Sequence, residues 1–457
     1  MRPIVQDVDF LFIYEVRNRE IDSICLLGAW LEEQGYTVAY INSWDTMYHW
    51  NPEYRAKVAV LSACYTDGAY AFFTGYALRF DKVVNLQWEQ VLMNAVSHSS
   101  GQTDWDFKGK IPWETRHVCW GENNRRYLID KYGMAEDHLR VCGYLPLDFY
   151  REEFRDTIAD KGALFARYGL DPDRKTLLFI SSFAEVGKPE AEAAEIQDEG
   201  ADSRTHVELQ ETSQQMILDW FRQLARDEQG IQIIYRPHPS EANNPKILAC
   251  AGEIPGFHVI AEESIRNWIR NCDVLCNWKS TSMIELYAAG KKTLILHPKP
   301  IPFAFSMPFF EEGHYTAVTT YEALLAGVRD RDAAFPIEKD FLLQFYSITE
   351  QPAYERTGQY LIDTLKDPDY HSRDEGNHLT AKGRMLDRVR NRAILRKAKI
   401  LHAVARPAGK TTPRAQAIEK TYAEQCYYEQ RILQNRMPYR ELRGKIDGYR
   451  RMMRSAR

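Results

Sequence analysis

A chain of 457 residues, 44% hydrophobic and 12% aromatic, has enough apolar surface for two or three globular domains, which makes a large enzyme the default class. No apolar run approaches the roughly 18 residues needed to span a bilayer, and Met1 to Phe10 carries Asp7 and Asp9 where a signal peptide would be apolar, so a cytoplasmic protein is expected. The net charge of −5 hides an asymmetry: Ala381 to Arg457 holds 21 Lys and Arg against 6 Asp and Glu, a net of +15, which leaves −20 on the rest. A basic tail on an acidic body points to a polyanionic surface as partner, and the acidic body argues against a nucleic-acid groove.

In chain order, strand patterns at Asp9–Val16, Thr37–Ile41, Lys57–Ala63, Lys82–Leu86, His117–Trp120 and Leu139–Cys142 alternate with helical periodicity at Ile21–Glu33, Ala69–Phe80 and Asn123–Tyr132. This is the βαβ alternation of a parallel sheet covered on both faces. A polar stretch, Arg151–Pro172, leads into a second series: strand Thr176–Ser182, helix Thr205–Asp227, strands Ile231–Arg236 and Phe257–Ala261, helix Ser264–Asn271, strand Asp273–Asn277, helix Ser280–Ala289 closed by Gly290, and strand Lys292–His297. The fold class predicted is α/β with two Rossmann-like domains, at 1–155 and 156–340, then closing helices at 341–380 and a basic helical tail at 381–457. Between Phe183 and Glu211 nine acidic residues face two basic ones, either a loop over a cleft or a disordered insertion. The eight cysteines lie mostly in apolar runs without metal-ligand spacing and read as reduced core thiols.

The chemistry concentrates where strands end, because free N–H groups and helix starts there favour anions. Tyr235-Arg236-Pro237-His238-Pro239-Ser240 closes the apolar run from Ile231, and the flanking prolines stiffen the turn. Arg236 and His238, two residues apart, share a face on an extended chain and are expected to meet one phosphate. Ser280, Thr281 and Ser282 open the second anion-binding element; a helix cap needs one hydroxyl, not three. Glu285 either accepts ribose hydroxyls or is a solvated first-turn acid. In the first half, Glu15-Val16-Arg17-Asn18-Arg19-Glu20-Ile21-Asp22 is dense with charge after an apolar strand, and Glu89 follows another strand end beside Trp88. With no cation next to it in sequence, Glu89 is the carboxylate expected to have a raised pKa and to act as a base, with Glu15 or Asp22 behind it. Glu122 reads as an acid at a helix N-terminus. A GxGxxG fingerprint, a P-loop, a GxSxG elbow and a metal-ligand cluster are all missing from the sequence, which removes support for hydride transfer, P-loop ATP hydrolysis and serine hydrolysis.

The run Glu15 to Ser23, with Gln87-Trp88-Glu89-Gln90, Trp120-Gly121-Glu122 and Gly143-Tyr144-Leu145-Pro146-Leu147-Asp148, resembles bacterial surface-carbohydrate biosynthesis proteins of the GT-B glycosyltransferase type. Arg236-Pro237-His238-Pro239 with Ser280-Thr281-Ser282 is similar to the His-Pro and Ser/Thr motifs of capsule Kdo transferases, polysialyltransferases and CDP-glycerol polymerases. The likeness spans about residues 9–320 and leaves the basic tail unmatched. It implies that His238 and Ser280 to Ser282 hold the donor phosphate; the acidic insertion after Phe183 departs from the pattern, and no Asp-rich base motif matches.

The reading is a metal-independent, cofactor-free glycosyltransferase that takes a nucleotide-sugar donor, CMP-linked and Kdo-like or sialic-like, to a surface polysaccharide or lipid-linked glycan. Arg236, His238, Ser280, Thr281, Ser282 and Glu285 bind the donor; Arg17, Asn18, Arg19 and Asp22 bind the acceptor; Glu89, His238 and Glu15 are catalytic. The tail would hold the protein at the inner face of the membrane through anionic lipid. A CDP-glycerol-type phosphotransferase uses the same turn, and a non-catalytic membrane or nucleic-acid binder on a GT-B body is a third alternative.

Overall fold

The computed structural model describes residues 5–44, 53–74, 78–91, 107, 109–186, 197–198, 201–238, 241, 244–330, 334–371, scattered positions between 389 and 427, and 429–455. The first domain is a six-stranded parallel sheet of β1 (Val5–Tyr14), β2 (Val38–Asn42), β3 (Glu53–Leu61), β4 (Leu78–Asn85), β5 (Arg116–Cys119) and β6 (Leu139–Val141), in the order β2-β1-β3-β4-β5-β6. Phe10 to Tyr14 is buried without alternation, as a parallel strand covered on both faces requires. The helix expected over Ala69–Phe80 ends at Thr74, and β4 begins at Leu78, four residues before the strand read at Lys82. Apolar runs of this length fit either period; here β3 offers a ladder from Tyr54↔Leu78 to Leu61↔Asn85, and the strand wins.

The second domain repeats the plan with β7 (Thr176–Ile180), β10 (Gln232–Arg236), β11 (Phe257–Val259), β12 (Val274–Asn277), β13 (Thr293–Leu296) and β14 (Ala317–Val318), ordered β11-β10-β7-β12-β13-β14 and parallel throughout. A two-residue antiparallel pair, β8 (Gln197–Asp198) and β9 (Ala201–Asp202), lies within the acidic insertion; 187–196 and 199–200 fall outside the described residues.

Helix α1 (Arg17–Glu33) follows β1 and is buried on nearly every face from Glu20 to Leu31. In the second domain lie α2 (Ser203–Asp227), α3 (Ile265–Asn271) and α4 (Met283–Ala288). A helix as apolar as α1 needs cover on more than one side, and two C-terminal helices supply it. The chain leaves the second domain after Tyr346 and returns to the first as α5 (Ala353–Lys366), which packs Tyr360, Leu361 and Ile362 into the α1 core. Gly358 permits the approach: a Cβ there would lie 2.4 Å from the Trp30 ring. The last helix, α6 (Tyr439–Ser455), adds Leu442, Ile446, Tyr449 and Met453 to the same core.

The end of the basic tail is therefore a structural member of the first domain, not an appendage. Its cations meet acids of α1: Arg443 and Arg450 pair with Glu32, Arg454 with Glu33 at 2.7 Å, and Lys445 with Asp22 at 2.7 Å. Much of 372–428 lies outside the described residues. Among the described residues no helix is long and apolar enough to cross a membrane.

The two crossings between domains are tied by Asp148. Its carboxylate accepts from the Ala353 N–H at 2.9 Å and the Tyr354 N–H at 2.7 Å, the first amides of α5. Burial pushes it up to about 6, against the pull of those two amides and of Arg151. Arg151 in turn donates to the Thr349 and Glu350 carbonyls at 2.7 and 2.9 Å, so each crossing holds the other.

Because Ile446 is wholly buried against α1, Ile446→Ala should cost about 2–5 kcal/mol in urea unfolding, the range for truncating a packed side chain. An unchanged transition midpoint would show that α6 does not share the core.

Candidate functional site: a cleft between two switch points

In an open α/β sheet, ligands bind beyond the carboxyl ends of the strands where the order reverses. That point lies between β1 and β3 in the first sheet and between β7 and β12 in the second. The loops from both points line one cavity of about 470 Å³, with Arg19, Trp88, Glu89, Trp120 and Tyr144 on one wall and Ser181, Ser182, His238, Lys279, Ser280 and Thr281 on the other.

On the first wall a fully buried carboxylate, Glu20, organises the loop. It accepts from the Glu15 N–H at 2.9 Å, the Val16 N–H at 3.2 Å, the Ser62 hydroxyl beyond β3, and Arg19 at 2.8 Å. Arg19 then reaches Glu89, which accepts from it through Oε1. The cation that sequence proximity did not supply to Glu89 thus arrives from 70 residues away. Burial nonetheless outweighs it, and the Glu89 carboxyl sits above the ordinary range, with Glu15 and Glu20 adding repulsion. Its other oxygen, Oε2, is buried without a hydrogen-bond partner among the described residues. Glu15 is raised for the same first reason, burial, then by Glu20.

The opposite wall has its own buried carboxylate. Glu241 accepts from the His238 N–H at 2.9 Å, the Tyr235 hydroxyl at 2.6 Å, Gln214 at 3.0 Å and the Ser181 hydroxyl, which binds the turn after β10 to the end of β7. This holds the half-exposed His238 imidazole at the cavity. Pro239 and Ser240, the rest of the turn, lie outside the described residues. Helix α4 is shorter than the helix expected over Ser280–Ala289. Ser282 takes the cap position without a side-chain capping bond, and its hydroxyl lies 2.8 Å from that of Ser280. Ser280 and Thr281 line the cavity; Ser282 supports them from behind.

Lys279 is the residue the sequence argument passed over. Its ammonium, almost fully buried, donates to the Phe305 carbonyl at 2.5 Å, and burial lowers its pKa to about 7, with Glu185 pulling the other way. A charge just beyond the buried strand Val274–Asn277, next to Ser-Thr-Ser, was the available signal.

The remaining predicted residues gather elsewhere. Arg236, Glu285, Arg17, Asn18 and Asp22 line a second cavity of about 450 Å³, which Arg19 borders as well as the first. Arg236 and His238 do not share a face, because β10 ends at Arg236 and Pro237 breaks the alternation. The Arg236 guanidinium donates to the Glu262 and Glu263 carbonyls at 2.8 and 2.9 Å. Glu285, 9% exposed, is pushed up to about 7 by burial, against Arg266, a hydrogen bond from Tyr150 at 3.4 Å, and Arg236. Arg17 pairs with Glu441, and its N–H donates to Asn435 at 2.8 Å. Asp22 accepts from Arg266 of α3 at 2.6 Å, Lys445 at 2.7 Å and Tyr449 at 2.9 Å of α6, and these partners hold it below the ordinary range despite burial. Asp22 therefore joins both domains and the last helix.

No family model and no curated protein matches this chain. Among solved structures it is similar to a histidine-to-asparagine variant of the wall teichoic acid polymerase TagF, at 12% identity over 79% of this chain and 90% of that one, with a TM-score of 0.53. The same TagF variant soaked with CDPG gives 11% identity over the same shares and a TM-score of 0.52. A putative UDP-N-acetylglucosamine 2-epimerase from Listeria monocytogenes covers 80% of this chain and 99% of its own at 12% identity, with a TM-score of 0.45. The TagF likeness shows the GT-B fold that the sequence led us to expect.

Glu285 yields a pH signature. Its pKa is about 7 folded against an ordinary 4.5, so its contribution to stability is complete below pH 4.5 and is lost as pH rises through 7. Asp148 acts likewise only up to about 6. Glu285→Gln should flatten the fall in melting temperature between pH 6 and 7, and a slope that survives the substitution would assign the titration to another group.

Proposed function

We propose that this protein is a glycosyltransferase that moves a sugar from a nucleotide-activated donor to a glycan hydroxyl in the cleft. The observation that carries the reading is a carboxylate with a raised pKa and an unpartnered buried oxygen, Glu89, in one cavity with His238, Ser280, Thr281 and Lys279. Glu89 takes the proton of the acceptor hydroxyl as its oxygen bonds to the anomeric carbon. The bond from that carbon to the donor phosphate breaks, and the nucleotide leaves with the electron pair. His238, Lys279 and the two hydroxyls receive the charge that develops on the phosphate, in a mechanism that needs no metal. The nucleoside extends into the second cavity, where Glu285 accepts from the ribose.

A cytidine-linked donor is proposed, CMP-linked and carrying an acid sugar. Fold-level analogy to TagF, whose variant was soaked with CDPG, supports cytidine as the first base to test and keeps a CDP-linked polyol as the second reading. An anionic membrane surface is the proposed partner of the basic segment 381–438, at the cytoplasmic face.

At a hundred times its dissociation constant the right nucleotide stabilises by about 2.7 kcal/mol. CMP or CDP should therefore raise the melting temperature by several degrees, in EDTA as well, while UDP and GDP should not. A preference for uridine or guanosine would overturn the donor assignment. Glu89→Gln should lower turnover about a hundredfold or more with nucleotide binding unchanged, and normal turnover would move the base to Glu15.

A further inference from the structure

Three polar residues of α2 face the second-domain wall of the cleft. His206, Gln210 and Gln214 follow one another at intervals of four, so they lie along one face of the helix. That face touches both anion-binding elements. At its start the Lys279 ammonium approaches His206 Nε2 at 3.4 Å, beside its bond to the Phe305 carbonyl, and the Phe305 ring centroid lies 4.6 Å from that of the imidazole. Gln210 donates to the same Nε2 at 3.1 Å and accepts the Glu185 N–H at 3.1 Å. A further turn along, Gln214 donates to Glu241, the carboxylate that holds the His238 turn. His206, Gln210 and Glu185 line the cleft cavity together with Lys279.

The titratable groups that face Lys279 come from three elements: Glu185 after β7, His206 on α2 and His297 just beyond β13. Neither imidazole brings charge. Burial, and after it the neighbouring Lys279, pushes His206 down to about 3. Burial likewise takes His297 down to about 4, against the pull of its bond to the Trp278 carbonyl. His206 Nε2 has one lone pair and two donors before it, the Gln210 amide and the Lys279 ammonium. It therefore offers the amine a shared acceptor and no negative charge. Burial outweighs Glu185 at the amine itself, which sits near the point of losing its proton at neutral pH.

We infer that Lys279 makes anion binding in the cleft proton-linked, and that His206 is the positioning residue that sets this link. A dianion entering the cavity draws a proton from solvent onto the Lys279 amine. The ammonium so formed attracts the dianion through the wall, where the local dielectric is low and direct contact is not required. When the dianion leaves, the proton returns to solvent. His206 keeps the amine at the cavity wall through its neutral ring. A carboxylate in its place would hold the ammonium charged at all times and would repel the incoming anion. The α2 face carries His206 at one end and the Gln214–Glu241 support of His238 at the other, so the helix also sets Lys279 relative to His238. The inference rests on the cleft being a phosphate-binding site, and it deepens that reading by naming what regulates it.

Sulfate is the probe, because it stays a dianion at every pH used. Its binding to the full-length protein is followed by tryptophan fluorescence at constant ionic strength, with CMP titrated in parallel. In wild type the sulfate affinity should fall about fivefold or more between pH 7 and pH 9. Lys279→Met should bind sulfate at all pH values as weakly as wild type does at pH 9, and Lys279→Arg should bind it without the fall. Either Lys279 variant decides the point if the other does not fold. His206→Leu, which removes the acceptor, should move the fall to lower pH by about half a unit or more, and His206→Gln, which restores an acceptor, should return it to the wild-type position. A failure of sulfate to bind, or a wild-type profile in His206→Leu, overturns the inference. So does a fall that persists in a Lys279 variant, which would assign it to another group, His238 first. If sulfate behaves as stated and CMP does not bind, the proton link stands and the donor reading falls.

Discussion

Two buried glutamates carry the architecture of the cleft. A carboxylate removed from water is tolerated only when donors surround it, and those that satisfy Glu20 and Glu241 include backbone amides and hydroxyls of strand-end loops, beside Arg19 for the first and Gln214 and Tyr235 for the second. Satisfying the charge therefore sets the loops. In the first sheet the loop after β1 is tied to the end of β3 through Ser62, and in the second the turn after β10 is tied to the end of β7 through Ser181. Both domains use the same device, across the switch point in the first sheet and beside it in the second. Loss of either carboxylate would free the loop that it pins, while Ser62 would keep the Ile13 carbonyl and Ser181 the Tyr235 hydroxyl.

A second layer of constraint fixes the domains with respect to each other. Asp22 lies on α1 of the first domain and binds α3 of the second and α6 from the end of the chain. Arg266, its partner from the second domain, also lies over the Phe149 ring at 3.9 Å, next to the first crossing. Asp148 and Arg151 bind the two crossings together. Both kinds of contact are polar and at least partly shielded, so each costs far more when one partner is removed than it contributes as an isolated pair.

The local order of strands and helices was legible because parallel sheets write apolar runs and turn signals into consecutive residues. So was the clustering of Glu89, His238, Ser280 and Thr281, since each follows a strand end. Pairings across the fold were not. Nothing near Glu89 announces Arg19, nothing near Ser181 announces Glu241, and the amphipathic face of α6 does not say that α1 awaits it. Arg236 and His238 parted company because the alternation rule for strands stops where the strand stops, one residue before Pro237. Lys279 was legible and overlooked: a lysine closing an apolar strand at a switch point is costly enough to need a reason.

Tyr144 stands at the first crossing and lines the cleft cavity, the second cavity and a third of about 530 Å³ bounded by Asp148, Arg151 and Arg356. A single ring that walls three chambers makes their volumes interdependent. Whatever turns it to enlarge one chamber narrows another, and the stack with Trp120 and Tyr346 carries that turn to the second crossing.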